Sequence, residues 1–464
     1  MASTSPPVPD GEASPSSARP AGSIGGRTSA LLRLVATSLA VGGATGVVCA
    51  AFRLALNRGN VLREAALAFS KSLGWWGWLL PIAGAAAAAG FARWLVVRFA
   101  PDAAGSGVPQ VEGVVRDGAA LDGLRVLPVK FLGGLTAIGA GLALGREGPS
   151  VQMGAAIGGS LGRRLRLAPG DDRVLVAGGA AAGLATAFGA PLGGAVFVLE
   201  EVMQRFHGRT AIAVLGATGA ATAVAHSMLG SRPLFTVGAI AHPLGLGLFV
   251  YLVFGLALGG LGALYNRLVL YLLDQDERVT SVRTELRAAA VGAAVGLLAC
   301  LNPLYVGGGE GGVQRLLLGP ASPVGALVLY GAIRFLLGPL SYASRTPGGL
   351  FAPLLLVGGA VGVIVGRALH AIVPVLVPDP IAFVIVGAAA FFTATVRAPV
   401  TGIALLVEMT AVNSLIMPML AAACGAFVGA SLLGSAPIYD SLRERLGRDP
   451  PAQHPKKDAA PPPG

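Results

Sequence analysis

The chain has 464 residues, of which 54% are hydrophobic and only 12% are charged, and its mean hydropathy is +0.71. Soluble globular domains carry about 25% charged residues, so this composition excludes a soluble protein and predicts a polytopic membrane protein. The formal net charge of +11 comes mostly from arginines outside the apolar segments. Such a distribution suits cytoplasmic loops and anionic lipid head groups, and no nucleic-acid partner is expected.

Apolar stretches follow one another along most of the chain, and each is expected to form all or part of a membrane helix. Residues 1–28 are rich in Pro, Ser, Gly and Ala without an early apolar core, which predicts a disordered cytosolic tail and not a signal peptide. We predict a membrane domain over residues 29–440 and a second disordered, Pro-rich tail over residues 441–464. The apolar stretches lie at 30–56, 76–98, 123–143, 173–203, 210–230, 243–273, 284–301, 323–341, 350–374, 380–396 and 399–434.

Glycine and proline interrupt many of these stretches, with 69 and 32 copies in the chain. In lipid, small residues allow helices to pack closely, and irregular backbone survives only where protein buries it or where it lines a cavity. The sequence therefore predicts an all-α protein with many tilted and broken helices, and the breaks are expected to outline a pathway.

Cysteine and histidine give no sign of a metal centre or of catalysis. Cys49, Cys300 and Cys424 lie in apolar segments without metal-ligand spacing, so no disulfide, metal or cofactor is expected. The five histidines show no paired spacing with a serine or aspartate, and we do not expect an enzyme.

The broken segments occur twice. A shift of 208 residues lays Ala190–Pro191 and Glu200 on Ala398–Pro399 and Glu408. The repeat halves are predicted at residues 29–230 and 240–440, and the match alone leaves open whether they are parallel or inverted. Paired interruptions point to a site near the membrane midplane where half-helix N-termini face an anion. A shift of 204 lays Gly145, Pro149, Gly154, Gly158 and Gly162 on Gly349, Pro353, Gly358, Gly362 and Gly366.

Four side chains have both a functional and a structural interpretation. Glu147, in Gly-Arg-Glu-Gly-Pro at a helix start, is either an ionisable group at an anion site or the ion-pair partner of Arg146. Ser106 is either a hydroxyl donor to a dehydrated anion or an ordinary helix N-cap. Lys130 either biases a pore with positive charge or snorkels to the interface, and Tyr439 alone would be read as an interfacial aromatic.

Five motifs carry a family resemblance. They are GSGVPQVEG (105–113), GREGPSVQMG (145–154), GAPLGGAVFVLEE (189–201), PGGLFAP (347–353) and RAPVTGIALLVEMT (397–410). Together they resemble the signature set of the CLC family of chloride channels and proton-coupled chloride exchangers. The resemblance spans about residues 30–440 and implies inverted repeat halves, a multi-pass location in the cell (inner) membrane and a homodimer with one pathway per subunit. It also implies a prokaryotic-type member without regulatory nucleotide-binding (CBS) domains after residue 440.

The resemblance implies two chloride sites built from backbone N–H groups and hydroxyls, without a full positive charge in contact with the ion. In the closed state the side chain of Glu147 would occupy the outer site in place of chloride. The implied residues are Ser106, Leu350, Phe351 and Tyr439 at the central site and Arg146, Glu147 and Gly148 at the outer site.

The resemblance also implies a route for protons. Glu201 is the second residue of a Glu-Glu pair, where exchangers of the family carry a proton-relaying glutamate and channels usually carry an apolar residue. Glu112 would support it as a nearby carboxylate, and Glu147 would accept the proton at the gate. We therefore expect exchange of chloride for protons. The alternatives are a passive, voltage- or pH-gated chloride channel and, for Glu201, a plain carboxylate at a cytosolic helix end.

Two positions bear on selectivity. Ser106, where other members carry different residues, favours chloride over nitrate and argues against a fluoride exporter. Ser-Arg-Thr precedes Pro347 where small residues are more usual in the family. Arg345 is therefore expected to alter the electrostatics of the nearby entrance and to shift selectivity modestly.

Overall fold

The computed structural model describes residues 24–119, 122–165, 167, 170–238, 240, 245–319 and 322–448, which form seventeen α-helices joined by short connections. The first eight are α1 (Ile24–Ser72), α2 (Leu79–Phe99), α3 (Val108–Glu112), α4 (Gly123–Gly139), α5 (Glu147–Leu165), α6 (Asp171–Phe188), α7 (Pro191–Phe197) and α8 (Gly208–Leu229). The others are α9 (Gly247–Arg278), α10 (Thr284–Leu301), α11 (Glu310–Leu317), α12 (Val324–Ala343), α13 (Phe351–Ile372), α14 (Ala382–Val396), α15 (Pro399–Thr410), α16 (Ile416–Leu432) and α17 (Ile438–Arg448). Two π-helical segments, Gly113–Asp117 and Val198–Val202, extend α3 and α7.

The predicted all-α, multi-pass membrane architecture is confirmed. Within the described ranges, seven helical segments are long and apolar enough to cross a membrane, and α14, α15 and α16 are shorter apolar helices. The predicted stretch 173–203 is divided, because Gly189 adopts a left-handed conformation (φ 69°) and separates α6 from α7. The stretch 399–434 is likewise divided between α15 and α16.

The helices form two halves with the same internal order, α1–α8 and α9–α16. Helix α5 packs on α6 as α13 packs on α14, and α1 packs on α8 as α9 packs on α16. Glycines allow the close approach, since Gly154 faces the carbonyl of Gly179 and Gly358 faces that of Gly387 without room for a Cβ. The repeat seen in the sequence is thus a repeat of packing.

Two glutamates show that the halves are inverted. The carboxylate of Glu408, near the end of α15, accepts hydrogen bonds from the N–H groups of Leu192 (3.0 Å) and Gly193 (2.7 Å) at the start of α7. Glu200, at the end of the α7 segment, accepts them from Val400 (3.2 Å) and Thr401 (2.8 Å) at the start of α15. Each segment ends where the other begins, so the two run antiparallel, and each carboxylate complements a helix N-terminus.

The helices at both ends of the described structure extend beyond the predicted domain bounds of residues 29 and 440. Helix α1 begins at Ile24, and α17 continues to Arg448 instead of ending at residue 440. Arg445 explains the second extension, because it pairs with Asp274 and with Glu277 (2.7 Å) and ties the last turns of α17 to α9. The other tail residues, 1–23 and 449–464, lie outside the described residues.

Candidate anion pathway and proton site

Helices α5 and α13 meet at their N-terminal ends. The N–H of Gly145 donates to the carbonyl of Gly349 (2.7 Å), and the N–H of Gly349 donates to the carbonyl of Gly145 (2.8 Å). These are the two glycines that the shift of 204 residues superimposes. The reciprocal pair fixes the two helix starts against each other, so the positive ends of both helix dipoles point to one region.

The first turns of both helices leave N–H groups without an intrahelical acceptor. Pro149 and Pro353 occupy the third position of α5 and of α13, where a residue without an N–H removes one unpaired donor and fits the helical φ. The remaining donors are the N–H groups of Glu147, Gly148, Leu350, Phe351 and Ala352. The backbone groups of Glu147, Gly148, Leu350 and Phe351 predicted for the two chloride sites therefore lie at one pair of helix ends.

The carboxylate of Glu147 lies among these donors. The side chain is fully buried, and neither of its oxygens has a hydrogen-bond partner among the described residues. It lies against Gly145, where a Cβ would collide with it, and is near the N–H groups of Glu147 itself and of Ala352. Arg146 pairs instead with Glu310 (2.9 Å), so the interpretation of Glu147 as the ion-pair partner of Arg146 is wrong.

The hydroxyl groups of Ser106 and Tyr439 lie beside these helix ends. Ser106 and Tyr439 are fully buried, neighbour each other, and have no hydrogen-bond partner for either hydroxyl oxygen within the described chain. The ring of Tyr439 stacks on Phe351 with centroids 6.1 Å apart. The N-cap interpretation of Ser106 is wrong, because Gly107 caps α3 and no side chain bonds there. A Cβ at Gly148 would lie only 2.5 Å from the Ser106 hydroxyl oxygen, which shows how closely this loop approaches α5.

Lys130 supports the Ser106 loop from behind. Its side chain is completely buried, and the ammonium donates to the carbonyls of Ala103 (3.0 Å) and Gly105 (2.8 Å). The snorkelling interpretation is therefore wrong. These two hydrogen bonds hold the turn that carries Ser106. The ammonium places a positive charge near the Ser106 hydroxyl and does not contact the region between the N-terminal ends of α5 and α13.

Glu112 and Glu201 form a second buried group. Both side chains are almost inaccessible, at 0% and 4% exposure, and they lie close enough for their charges to repel. Glu112 ends α3, and Glu201 lies in the π-helical segment Val198–Val202. Tyr439 lies close enough to both Glu147 and Glu201 for their charges to act on its hydroxyl, so it lies between the anion site and the buried carboxyl pair. The predicted proximity of Glu112 to Glu201 agrees with this geometry.

Two cavities adjoin this region, and we call them the outer and the inner vestibule after the outer chloride site and the inward-lying central site that the family resemblance implies. The outer vestibule, about 380 Å³, reaches Gly145, and its charged lining consists of Arg63, Glu64, Arg146, Glu310, Arg315 and Arg334. Four arginines against two glutamates make it attractive to anions. The inner vestibule is smaller, about 80 Å³, and reaches Gly105 and Tyr342 beside Ser106.

Arg345 lines the inner vestibule, but its predicted electrostatic effect is offset. Its guanidinium pairs with Asp276 (3.6 Å) and with Glu277 in a network where Arg287, Arg345 and Arg445 share Asp274, Asp276 and Glu277, so three carboxylates compensate three positive charges. The backbone at Arg345 is left-handed (φ 53°), which disfavours most side chains other than glycine. The ion pairs hold the arginine in this conformation.

Sequence reasoning missed several residues of this region. Glu310 pairs with Arg146, and the shift of 204 that lays Ser106 on Glu310 could have indicated it. Arg334 is almost fully buried and donates to the carbonyls of Tyr305 (3.0 Å) and Gly307 (2.7 Å), with no ion pair among the described residues. Its sequence context gives no signal of this contact.

The fold and this geometry define a class: an inverted-repeat membrane protein with a dipole-lined anion site between broken helices. Residues 84–431 match the family model described as voltage gated chloride channel, and the chain belongs to that family, as its motifs predicted. It is 38% identical over 406 residues to the H(+)/Cl(-) exchange transporter ClcA of Cronobacter sakazakii, covering 86% of this chain and 87% of the relative. The ClcA of Vibrio parahaemolyticus is also 38% identical, over 376 residues that cover 79% of this chain and 80% of the relative.

Solved structures agree with this assignment. A slow cyanobacterial Cl−/H+ antiporter superimposes with a TM-score of 0.87 at 33% identity, covering 90% of this chain and 98% of the other. A CLC-type fluoride/proton antiporter, at 23% identity and a TM-score of 0.72 over 86% and 96% of the two chains, shares the fold.

Proposed function

We propose that the chain is a secondary active transporter that exchanges chloride for protons across the cell membrane. The observation that carries this proposal is the Glu147 carboxylate, buried without a hydrogen bond where the first-turn N–H groups of α5 and α13 converge. A negatively charged side chain in a place suited to an anion acts as a tethered substitute for that anion.

The donors suit an ion that must leave again. Backbone N–H groups and hydroxyls replace part of the hydration of chloride, yet bind it more weakly than a full positive charge would. Chloride would bind Ser106 and Tyr439 centrally, with the N–H groups of Leu350 and Phe351. Lys130 stabilises it from a distance through the Gly105 carbonyl.

Protonation of Glu147 would link the two ions. A proton removes the charge that competes with chloride, so the side chain leaves the outer site and chloride enters. When Glu147 loses the proton, its carboxylate returns to the outer site and displaces chloride. Glu201, with Glu112 beside it, would deliver the proton from the inner side, apart from the chloride ligands. The relatives named as H(+)/Cl(-) exchange transporters support the exchange of chloride for protons.

The Glu147→Gln variant tests the gate. Glutamine mimics the protonated side chain, so we expect chloride flux to persist while proton coupling is abolished. Proteoliposomes with controlled chloride and pH gradients measure both fluxes. Uphill proton movement driven by chloride in this variant contradicts the assignment of Glu147. A wild-type reversal potential that ignores the pH gradient indicates the passive chloride channel instead.

The neighbouring glutamates Glu200 and Glu201 offer a matched pair for testing the relay. Glu201→Gln should reduce proton flux while sparing chloride flux, because the relay carboxyl is lost and the chloride ligands remain. Glu200→Gln should leave the coupling ratio unchanged, since Glu200 caps α15 and does not join the buried pair. An unchanged ratio in Glu201→Gln rejects the relay role.

We also propose a homodimer with one independent pathway in each subunit, which the family resemblance supports. The protein mass of the purified particle, measured by light scattering with the detergent contribution removed, tests the assembly. A mass of one 46.3 kDa chain contradicts it.

A further inference from the structure

Two π-helical segments face the inner proton site. Gly113–Asp117 carries Arg116, and Val198–Val202 carries Glu201. Such segments are rare and occur often at functional sites. Val198–Val202 also ends its helix, so its last carbonyls have no intrahelical donor and need donors from elsewhere.

Arg116 supplies those donors. Its Nε donates to the carbonyl of Val202 (2.8 Å), and one terminal nitrogen donates to the carbonyl of Glu201. The other terminal nitrogen pairs with Asp440 (3.3 Å). The side chain is only 15% exposed. The planar guanidinium fork reaches these three acceptors in fixed directions, a geometry that the three tetrahedral donors of a lysine ammonium do not reproduce.

Asp440 connects this contact to the chloride site, because it directly follows Tyr439 in α17. Arg443, which lies in α17 with Asp440, contacts Asp440 (3.5 Å) and approaches Glu112 (3.8 Å). Arg443 also pairs with Asp117 (3.1 Å). Helix α17 therefore begins with a chloride ligand and is joined by ion pairs to the segments that hold both buried carboxylates.

We propose that Arg116 is a positioning residue for the exchange reaction. It joins the backbone of Glu201 to Asp440 and so makes the placement of the relay carboxyl depend on the position of α17 and Tyr439. The inference rests on the proposed function, since it takes Glu201 as the proton relay and Tyr439 as a chloride ligand. Arg116 itself contacts neither chloride nor the relayed proton.

The contacts of Arg116 would transmit a movement of α17 to Glu201. A movement of α17 that shifts the Tyr439 hydroxyl also shifts Asp440, and Arg116 transmits that shift to the carbonyls of Glu201 and Val202. Without Arg116, these carbonyls lose their donors and the Glu201 carboxyl loses its fixed orientation. The chloride ligands stay in place, so proton transfer is affected more than chloride movement.

The test compares Arg116→Gln, Arg116→Lys and Asp440→Asn in proteoliposomes that report proton and chloride flux separately. We expect the proton-to-chloride ratio of Arg116→Gln to fall about tenfold, the loss typical of a charge-assisted hydrogen bond, with chloride flux largely retained. Arg116→Lys should restore part of the ratio, because an ammonium replaces the charge but not the fork. Asp440→Asn should lower the ratio and show non-additivity with Arg116→Gln.

Arg445→Gln is the matched control. It breaks another ion pair of α17, with Asp274 and Glu277, that does not reach the proton site, and it should leave the ratio unchanged. The inference is overturned if Arg116→Gln lowers both fluxes in proportion, if it leaves the ratio at the wild-type value, or if Arg445→Gln lowers the ratio equally.

Glu201→Gln, measured alongside, separates the two proposals. If Glu201→Gln reduces proton flux and Arg116→Gln does not change the ratio, only the positioning role fails. If Glu201→Gln leaves proton flux intact, the relay in the proposed function fails and the positioning role fails with it.

Discussion

At the scale of single residues, the proposed exchange depends on three buried carboxyl groups. Glu112, Glu147 and Glu201 each have at least one oxygen without a hydrogen-bond partner among the described residues. A buried charge without a partner is costly, so such groups persist where they have a role. Gain or loss of one proton at Glu147 or Glu201 changes a local charge that no ion pair among the described residues masks, whereas Glu112 lies 3.8 Å from Arg443.

Lys130 offers a prediction at this scale. Replacing it by methionine removes a buried positive charge and two hydrogen bonds behind Ser106, so chloride affinity should fall on the order of tenfold. Isothermal titration calorimetry with chloride measures the effect, and monodisperse elution shows that the variant is folded. Lys71→Met is the control, because Lys71 is exposed at the end of α1. An unchanged affinity in Lys130→Met means that the lysine does not support the site.

At the scale of elements, the two halves of the chain form hydrogen bonds with each other at the ends of the broken helices. The ends of α5, α13, α7 and α15 are each completed from the opposite half of the chain, by the Gly145–Gly349 pair and by Glu200 and Glu408. An isolated half would leave these N–H and carbonyl groups unpaired in lipid, which is costly. The two halves therefore depend on each other for their hydrogen bonds.

Adjacent glycines in α1 test how closely the elements pack. Gly42 lies against the carbonyl of Ala217 in α8 with no room for a Cβ, whereas Gly43 has open space. Gly42→Ala should destabilise the protein by about 1–3 kcal/mol through overpacking. Gly43→Ala should change stability by no more than about 1 kcal/mol. Thermal unfolding in detergent compares them, and equal melting temperatures would show that the contact between α1 and α8 is not tight.

Several elements were predictable because they depend on local pattern. The repeated Gly and Pro positions predicted the helix breaks before α5 and α13. The shift of 204 residues aligned Gly145 with Gly349, which are in contact in the structure. The role of Ser106 stayed open in the sequence, because only the fold shows that Gly107 caps α3 instead. Arg116 and Asp440 lie 324 residues apart, and no periodicity connects them.

At the scale of the whole molecule, the two inverted halves bring two vestibules to one central site. The outer vestibule is rich in arginine, whereas Arg345 at the inner vestibule belongs to a network of three arginines and three carboxylates. Anions are therefore attracted more strongly from the outer side, and the effect weakens as salt screens the charges. Inversion makes α5 and α13 run in opposite directions with their N-termini meeting at the Gly145–Gly349 pair, whereas corresponding helices of a parallel repeat would point to the same face of the membrane.

Anomalous scattering from bromide, in crystals of the wild-type chain and of Glu147→Gln, tests most directly whether an anion and the Glu147 carboxylate share one place. We predict a bromide peak near Ser106 and Tyr439 in both proteins. A further peak between the N-termini of α5 and α13, beside the Ala352 N–H, should appear only in Glu147→Gln. The absence of bromide between these helix ends in both proteins would contradict a shared site.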